Sequence, residues 1–332
     1  MTHAFRTTVR AASAALALSA STFAQQAAAP AKPMPKAPPA GTTAPAAPAV
    51  PAVPPPPPAP PRAAGPAVKE LKVEGAMPSA KDVLTKHLDA IGGAAAVGSH
   101  TSMRSTGGIE VAAAGLKGTM QMVAMAPNKV LMSMELPGMG AVRSGFDGTT
   151  GWSMDPMRGP SIMGAKETAE LTREANFRRD LDLATDPKDA AVTGLFEFQG
   201  KPCWCVKVTN TGGTVTNNFY DRESGLMSGM SLKAVTPMGE VPVTVTLADW
   251  KDFGGVKVAT KTTTSMMMGS QVMTIDAVEW DAVKPEAFEL PAEIKALAAK
   301  PAAAPAGDVA PAAPAAPAEP AAPKAPAAPA PK

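Results

Sequence analysis

From Leu116 to Trp280 the chain repeats one pattern, a short run of alternating apolar and polar residues followed by a tight turn. A period of two is the signature of a half-buried strand. The runs are Leu116 to Ala126, Lys129 to Leu136, Ala141 to Phe146 and Gly151 to Met154. They resume with Val192 to Gln199, Cys203 to Thr209, Thr214 to Tyr220 and Leu226 to Val235. Val241 to Trp250, Val256 to Met267 and Gln271 to Trp280 complete the series. Asp147-Gly148, Gly200-Lys201-Pro202, the segment Asp221 to Gly225 and Asp252 to Gly255 are the turn signals between neighbours. Hairpin after hairpin makes an antiparallel meander of about 11 strands. A sheet of that width must curl. The expected fold is mainly β with two or three helices, a half-open antiparallel β-barrel covered by helices.

Two helices are legible. Ser79 is placed as an N-cap, Asp82 lies in the first turn, Val83, Leu84, Leu88 and Ile91 form an apolar stripe, and Gly92-Gly93 ends the helix. Lys166 to Phe177 is the second, with Ala169, Leu171 and Phe177 apolar. Before it, Pro156 to Ala165 carries Gly159, Pro160 and Gly164, a composition that suits a lid hinge and equally an ordinary connection.

Most of the 37 prolines sit near the ends and set the domain limits. Residues 25–66 and 299–332 read as disordered Pro/Ala-rich segments, and residues 67–298 as the folded domain. Residues 1–24 read as a signal peptide: Arg6 and Arg10 precede an Ala/Leu-rich run, and Thr22-Phe23-Ala24 offers a cleavage site after Ala24. Export to the periplasm is the expectation. Loss of Arg6 and Arg10 would leave 29 basic and 29 acidic residues. A neutral chain lacks the basic face that nucleic acid requires.

Cys203 and Cys205 lie two apart in a strand, so both side chains share one face. Buried free thiols and a strained bridge are both open readings, and the spacing excludes CxxC redox chemistry.

Residues that would carry catalysis are scarce. Within the folded domain the histidines are His87 and His100, neither beside a nucleophile motif. Asp147, Asp155, Asp221 and Asp252 fall at turns, where the carboxylate serves its own backbone. No Gly-rich phosphate loop leads from a strand into a helix, so no nucleotide or other cofactor is expected, and neither is an enzyme. Met266-Met267-Met268 cannot converge on copper, because alternate strand residues face opposite ways.

The unusual resource is methionine, at 20 residues in a chain only 4% aromatic. Its unbranched, polarizable side chain adapts to irregular apolar shapes. Met120 and Met122 share one face of a strand, as do Met132 and Met134. With Trp152, Met154 and Met163 they are the candidate ligand-binding residues; the other reading is that they fill a core poor in aromatics. No metal site is expected.

Ala126-Pro127-Asn128-Lys129-Val130, then Phe146-Asp147-Gly148-Thr149-Thr150-Gly151-Trp152-Ser153-Met154-Asp155-Pro156, then Phe288-Glu289-Leu290-Pro291 form an ordered series. It resembles the outer-membrane lipoprotein-sorting superfamily, the periplasmic lipoprotein carrier and its outer-membrane receptor. The resemblance spans most of residues 78–291 and rests on turn motifs. It implies a helix-lidded β-cavity for acyl chains. The carrier's arginine before the Pro-Asn step, which helps hold its lid, is Ala126 here. The resemblance therefore implies a family member with its own ligand rather than the carrier itself. The expected function is a non-catalytic, monomeric periplasmic binding or carrier protein for an apolar small molecule, an acyl chain or a lipoprotein anchor. The rival is an envelope interaction module with a filled core, whose tails contact cell wall or partner proteins.

Overall fold

A computed structural model of the chain describes residues 68–209, 213–236, 239–266 and 269–299. The expected signal peptide, both Pro/Ala-rich segments, Met267 and Met268 lie outside the described residues.

The chain begins with β1 (Lys69–Leu71), then α1 (Ala80–Ala90) and the short α2 (Gly93–Val97). A first meander follows: β2 (Ser102–Val111), β3 (Leu116–Met125), β4 (Lys129–Leu136), β5 (Gly140–Phe146), β6 (Gly151–Asp155) and β7 (Gly159–Ile162). Two helices interrupt it, α3 (Ala165–Glu174) and α4 (Arg179–Thr185). The second meander is β8 (Ala190–Phe198), β9 (Lys201–Thr209), β10 (Val215–Asp221), β11 (Met227–Thr236), β12 (Gly239–Phe253), β13 (Val256–Met266) and β14 (Gly269–Trp280). A 3-10 turn (Pro285–Phe288) and α5 (Ala292–Ala299) close the described chain.

All fourteen strands belong to one sheet, in the order β1-β8-β9-β10-β11-β12-β13-β14-β2-β3-β4-β5-β6-β7. Every pairing is antiparallel. The two meanders join where β14 pairs with β2, from Gln271↔Val111 to Trp280↔Met103. β1 and β7 are the free edges, so the sheet is not closed. This is the half-open, helix-covered barrel expected from the alternation.

The sheet is wider than the eleven or so strands read from the sequence. β2 goes unread because Gly107 and Gly108 dilute its alternation. β1 has only three residues, the first two of them exposed. β7 lies in the Pro156 to Ala165 segment read as a hinge or connection; it pairs with β6 from Asp155↔Gly159 to Trp152↔Ile162. The helix read as Lys166 to Phe177 is α3 followed by a separate α4. Asn176 produces the break: its Oδ1 accepts from Arg178 N (2.9 Å) and its Nδ2 donates to Asp182 Oδ2 (2.9 Å).

The Ser79 cap forms as read. Ser79 Oγ accepts from Asp82 N, and Asp82 returns a bond to Ser79 N, closing a capping box. Its apolar stripe of Val83, Leu84, Leu88 and Ile91 is buried in the main core. That core also takes in Leu171, Ala175 and Phe177 near the end of α3 and Ala184 of α4, so the helices pack on one face of the sheet, hereafter the inner face. Two smaller clusters lie apart from it: Phe198, Cys203, Cys205 and Phe219, and Val123, Val283 and Phe288. Among the described residues no helix is long and apolar enough to cross a membrane.

Candidate functional site

The turn carboxylates are occupied as turn chemistry requires. Asp147 accepts from Thr149 N and Thr150 N, Asp155 from Met157 N and Arg158 N, Asp221 from Glu223 N and Ser224 N, and Asp252 from Gly255 N. At Asp221, burial works to raise the carboxyl. The backbone N–H groups of Ser224 and Glu223, with Lys201, outweigh it and hold the group below the usual range. His100 stacks on Trp280 (4.5 Å between centroids), with Nδ1 2.8 Å from Asp281 Oδ2. His87 is buried against Tyr220 and Trp250, and its Nδ1 donates to Gly225 O (3.0 Å). Among the described residues no three His, Cys, Asp or Glu side chains could together hold a metal ion. Cys203 and Cys205 are free and buried, and desolvation raises both thiols.

Four of the proposed methionines form one block. Residues directly opposite in an antiparallel ladder share a face. Ser105, Met122, Met132 and Ser144 stand opposite one another across β2 to β5, and Gly107, Met120, Met134 and Val142 form the adjacent row. The block belongs to the main core and therefore lies on the inner face. Met120 is 4% exposed, Met122 1%, Met132 2% and Met134 2%. The protein's own atoms cover them in this conformation. Met163 reaches the same side. A Cβ at Gly151 would stand 2.9 Å from Met163 Sδ and 3.2 Å from Leu171 Cδ2, so only glycine lets α3 settle on β6.

Trp152 and Met154 do not join that block. Trp152 pairs with Gly145 and Gly145 with Leu131, whose side chain packs beside the separate Val123–Val283–Phe288 cluster. Met154 pairs with Arg143 and Arg143 with Ser133, on the same outer face. Trp152 is 3% exposed and lies over Gly145, where a Cβ would come within 2.8 Å of the indole. The reason is parity: Gly151 faces inward, so its neighbour Trp152 faces outward.

Reading along single strands missed what α3 and α4 do. Since β7 and β1 are the free edges and β8 adjoins β1, the connection β7–α3–α4–β8 must pass from one arm of the sheet to the other. α3 touches both arms. Leu171 lies on Gly151 of β6, while Glu170 Oε1 accepts from Thr214 Oγ1 (2.7 Å), just before β10. The end of α3 is tied to the Pro-Asn step, since Phe177 N donates to Pro127 O (2.9 Å). Desolvation pushes the half-buried Glu174 carboxyl up to about 7, against the pull of Arg179 and Arg173 and with help from Glu170. Arg173 Nε and Nη2 are buried and have no hydrogen-bond partner. Buried Thr216 Oγ1 and Asn218 Nδ2, on β10, are likewise unpartnered.

No family model matches the chain, and no curated protein matches it. Solved structures do. A LolA superfamily protein from Nitrosomonas europaea is 10% identical with a TM-score of 0.46, covering 64% of this chain and 99% of that one. A domain described as an outer-membrane lipoprotein-sorting protein, from Vibrio parahaemolyticus, is 11% identical with a TM-score of 0.45, covering 63% and 95%. A DUF1329 family protein from Desulfovibrio piger is 12% identical with a TM-score of 0.45, again covering 63% and 95%.

Proposed function

We propose that this protein is a non-catalytic periplasmic binding or carrier protein for an apolar ligand: a lipid, an acyl chain or a lipoprotein anchor. The observation that carries the reading is the methionine block on the inner face of the sheet, the face on which the helices pack, with α3 spanning the two arms. Four unbranched thioether chains side by side specify a core poorly and adapt to a guest well. A guest chain would be driven in by burial at ~0.8 kcal/mol per methylene. Since the block is covered in this conformation, uptake requires α3 and α4 to move and the methionines to change rotamer. The ties to break include the Thr214–Glu170 bond, the Phe177–Pro127 bond, the contact of Leu171 with Gly151 and the packing of α4 against α1.

The same coverage supports a second reading, an envelope interaction module whose interior is filled permanently by its own side chains. One experiment separates the two. The purified protein is titrated with N-phenyl-1-naphthylamine, a neutral dye that fluoresces in apolar surroundings, and its mass is recorded under native conditions. A carrier gives saturable dye uptake or a co-purified lipid adduct, and Met132→Asp removes both. A bare mass with no dye uptake leaves the interaction module.

A further inference from the structure

The contacts among the described residues leave one edge of Arg173 unexplained. Nε–H and Nη2–H point out along one edge of the planar guanidinium and form the fork that grips a carboxylate or phosphate bidentately. Both atoms are buried with no partner. A buried cationic donor pair left unmade is costly, and such groups call for an explanation. The helix offers none. Glu170 is engaged by Thr214, and Glu174, the next residue along, is held partly protonated by its own desolvation. The position of Arg173 in the last turn of α3 favours its charge through the helix dipole but satisfies neither N–H. Glu170, one turn before Arg173, is tied by Thr214 to the start of β10, whose Thr216 and Asn218 share the inner face through their pairing with Val208 and Val206 of the main core. Thr216 Oγ1 and Asn218 Nδ2, buried and unpartnered, follow along that strand.

We propose that the Nε–Nη2 edge of Arg173 receives an oxyanion, carboxylate or phosphate, at the head of the apolar ligand, so that the protein selects anionic single-chain amphiphiles over neutral ones. The inference rests on the carrier reading above and adds the headgroup to it. The acyl chain would occupy the methionine block, and the bridge helix would hold the anion.

Three ligands of one chain length test it: dodecanoate, dodecyl phosphate and 1-dodecanol, each displacing N-phenyl-1-naphthylamine from the full chain at pH 6.5. A charge-assisted bidentate contact predicts that wild type prefers an anion over the alcohol by roughly ten- to a hundredfold. Arg173→Gln should abolish the preference and leave 1-dodecanol displacement within about twofold of wild type. Arg173→Lys should restore only part of it, because an ammonium is a point charge without the fork. The stronger of the two anions identifies the source as a fatty acid or a phospholipid-type headgroup. Equal displacement by acid and alcohol in wild type overturns the headgroup site while leaving the carrier standing. Arg173→Gln and Arg173→Lys weakening all three ligands in parallel does the same, and assigns Arg173 a structural role with water on its edge. Dye that never binds wild type sinks both readings together.

Discussion

Replacing Glu174 by glutamine tests the electrostatics of the bridge helix directly. Desolvation holds the folded carboxyl near 7, whereas in the unfolded chain it returns to its ordinary value of 4.5. Between those values the folded state binds more protons than the unfolded one, so stability falls as pH rises. At ~1.4 kcal/mol per pH unit the gap corresponds to about 3 kcal/mol. That figure is a ceiling, because Glu174 is only half-buried and solvent reaches part of it. Glutamine is isosteric with the protonated acid and does not ionise. Wild type and Glu174→Gln should therefore have near-equal stability at pH 4.5. The variant should become progressively more stable through pH 7, up to about 3 kcal/mol by pH 8. Urea denaturation at matched pH values measures the difference, in which every other titrating group cancels. A difference that stays flat from pH 4.5 to 8, or a variant less stable at pH 8, refutes the reasoning.

The remaining predictions concern packing and access. Met132→Ala should cost about 2–5 kcal/mol as the block loses a fully covered side chain, measured by urea unfolding. Thr214→Val should cost about 1 kcal/mol and speed dye entry in stopped flow, because it removes the bond between α3 and the β10 arm. Gly145→Ala should destabilise by roughly 1–3 kcal/mol and shift tryptophan emission, because the new methyl meets the Trp152 indole. Cys203 and Cys205 should resist a thiol reagent in native buffer at pH 8 and react at once in urea, being buried with raised thiol pKa values. Fast native labelling would contradict that burial.

Period-two alternation made the sheet legible, because a meander of hairpins leaves its mark strand by strand. The four inner methionines were legible for the same reason: Met120 and Met122, then Met132 and Met134, are two apart on neighbouring strands. Trp152 and Met154 lie on the face opposite that block, and proximity to a hairpin says nothing about face. Only the register through Gly145 and Leu131 assigns it. Arg173 was invisible for a different reason. A cation in the last turn of a short polar helix looks like an ordinary solvated side chain. Its Nε and Nη2 are buried because α3 crosses between the two arms of the sheet, meeting Gly151 on one and Thr214 beside the other.

That crossing has a mechanical consequence. β7 feeds into α3 and α4 feeds into β8, so the helix pair hangs from one rim and from the strand next to the other, like the handle of a bucket. It cannot swing free on a single hinge. Tilting it must drag at least one rim along, so the width of the opening and the height of its cover are a single coordinate. Any force that spreads the two arms is therefore felt by the helix pair.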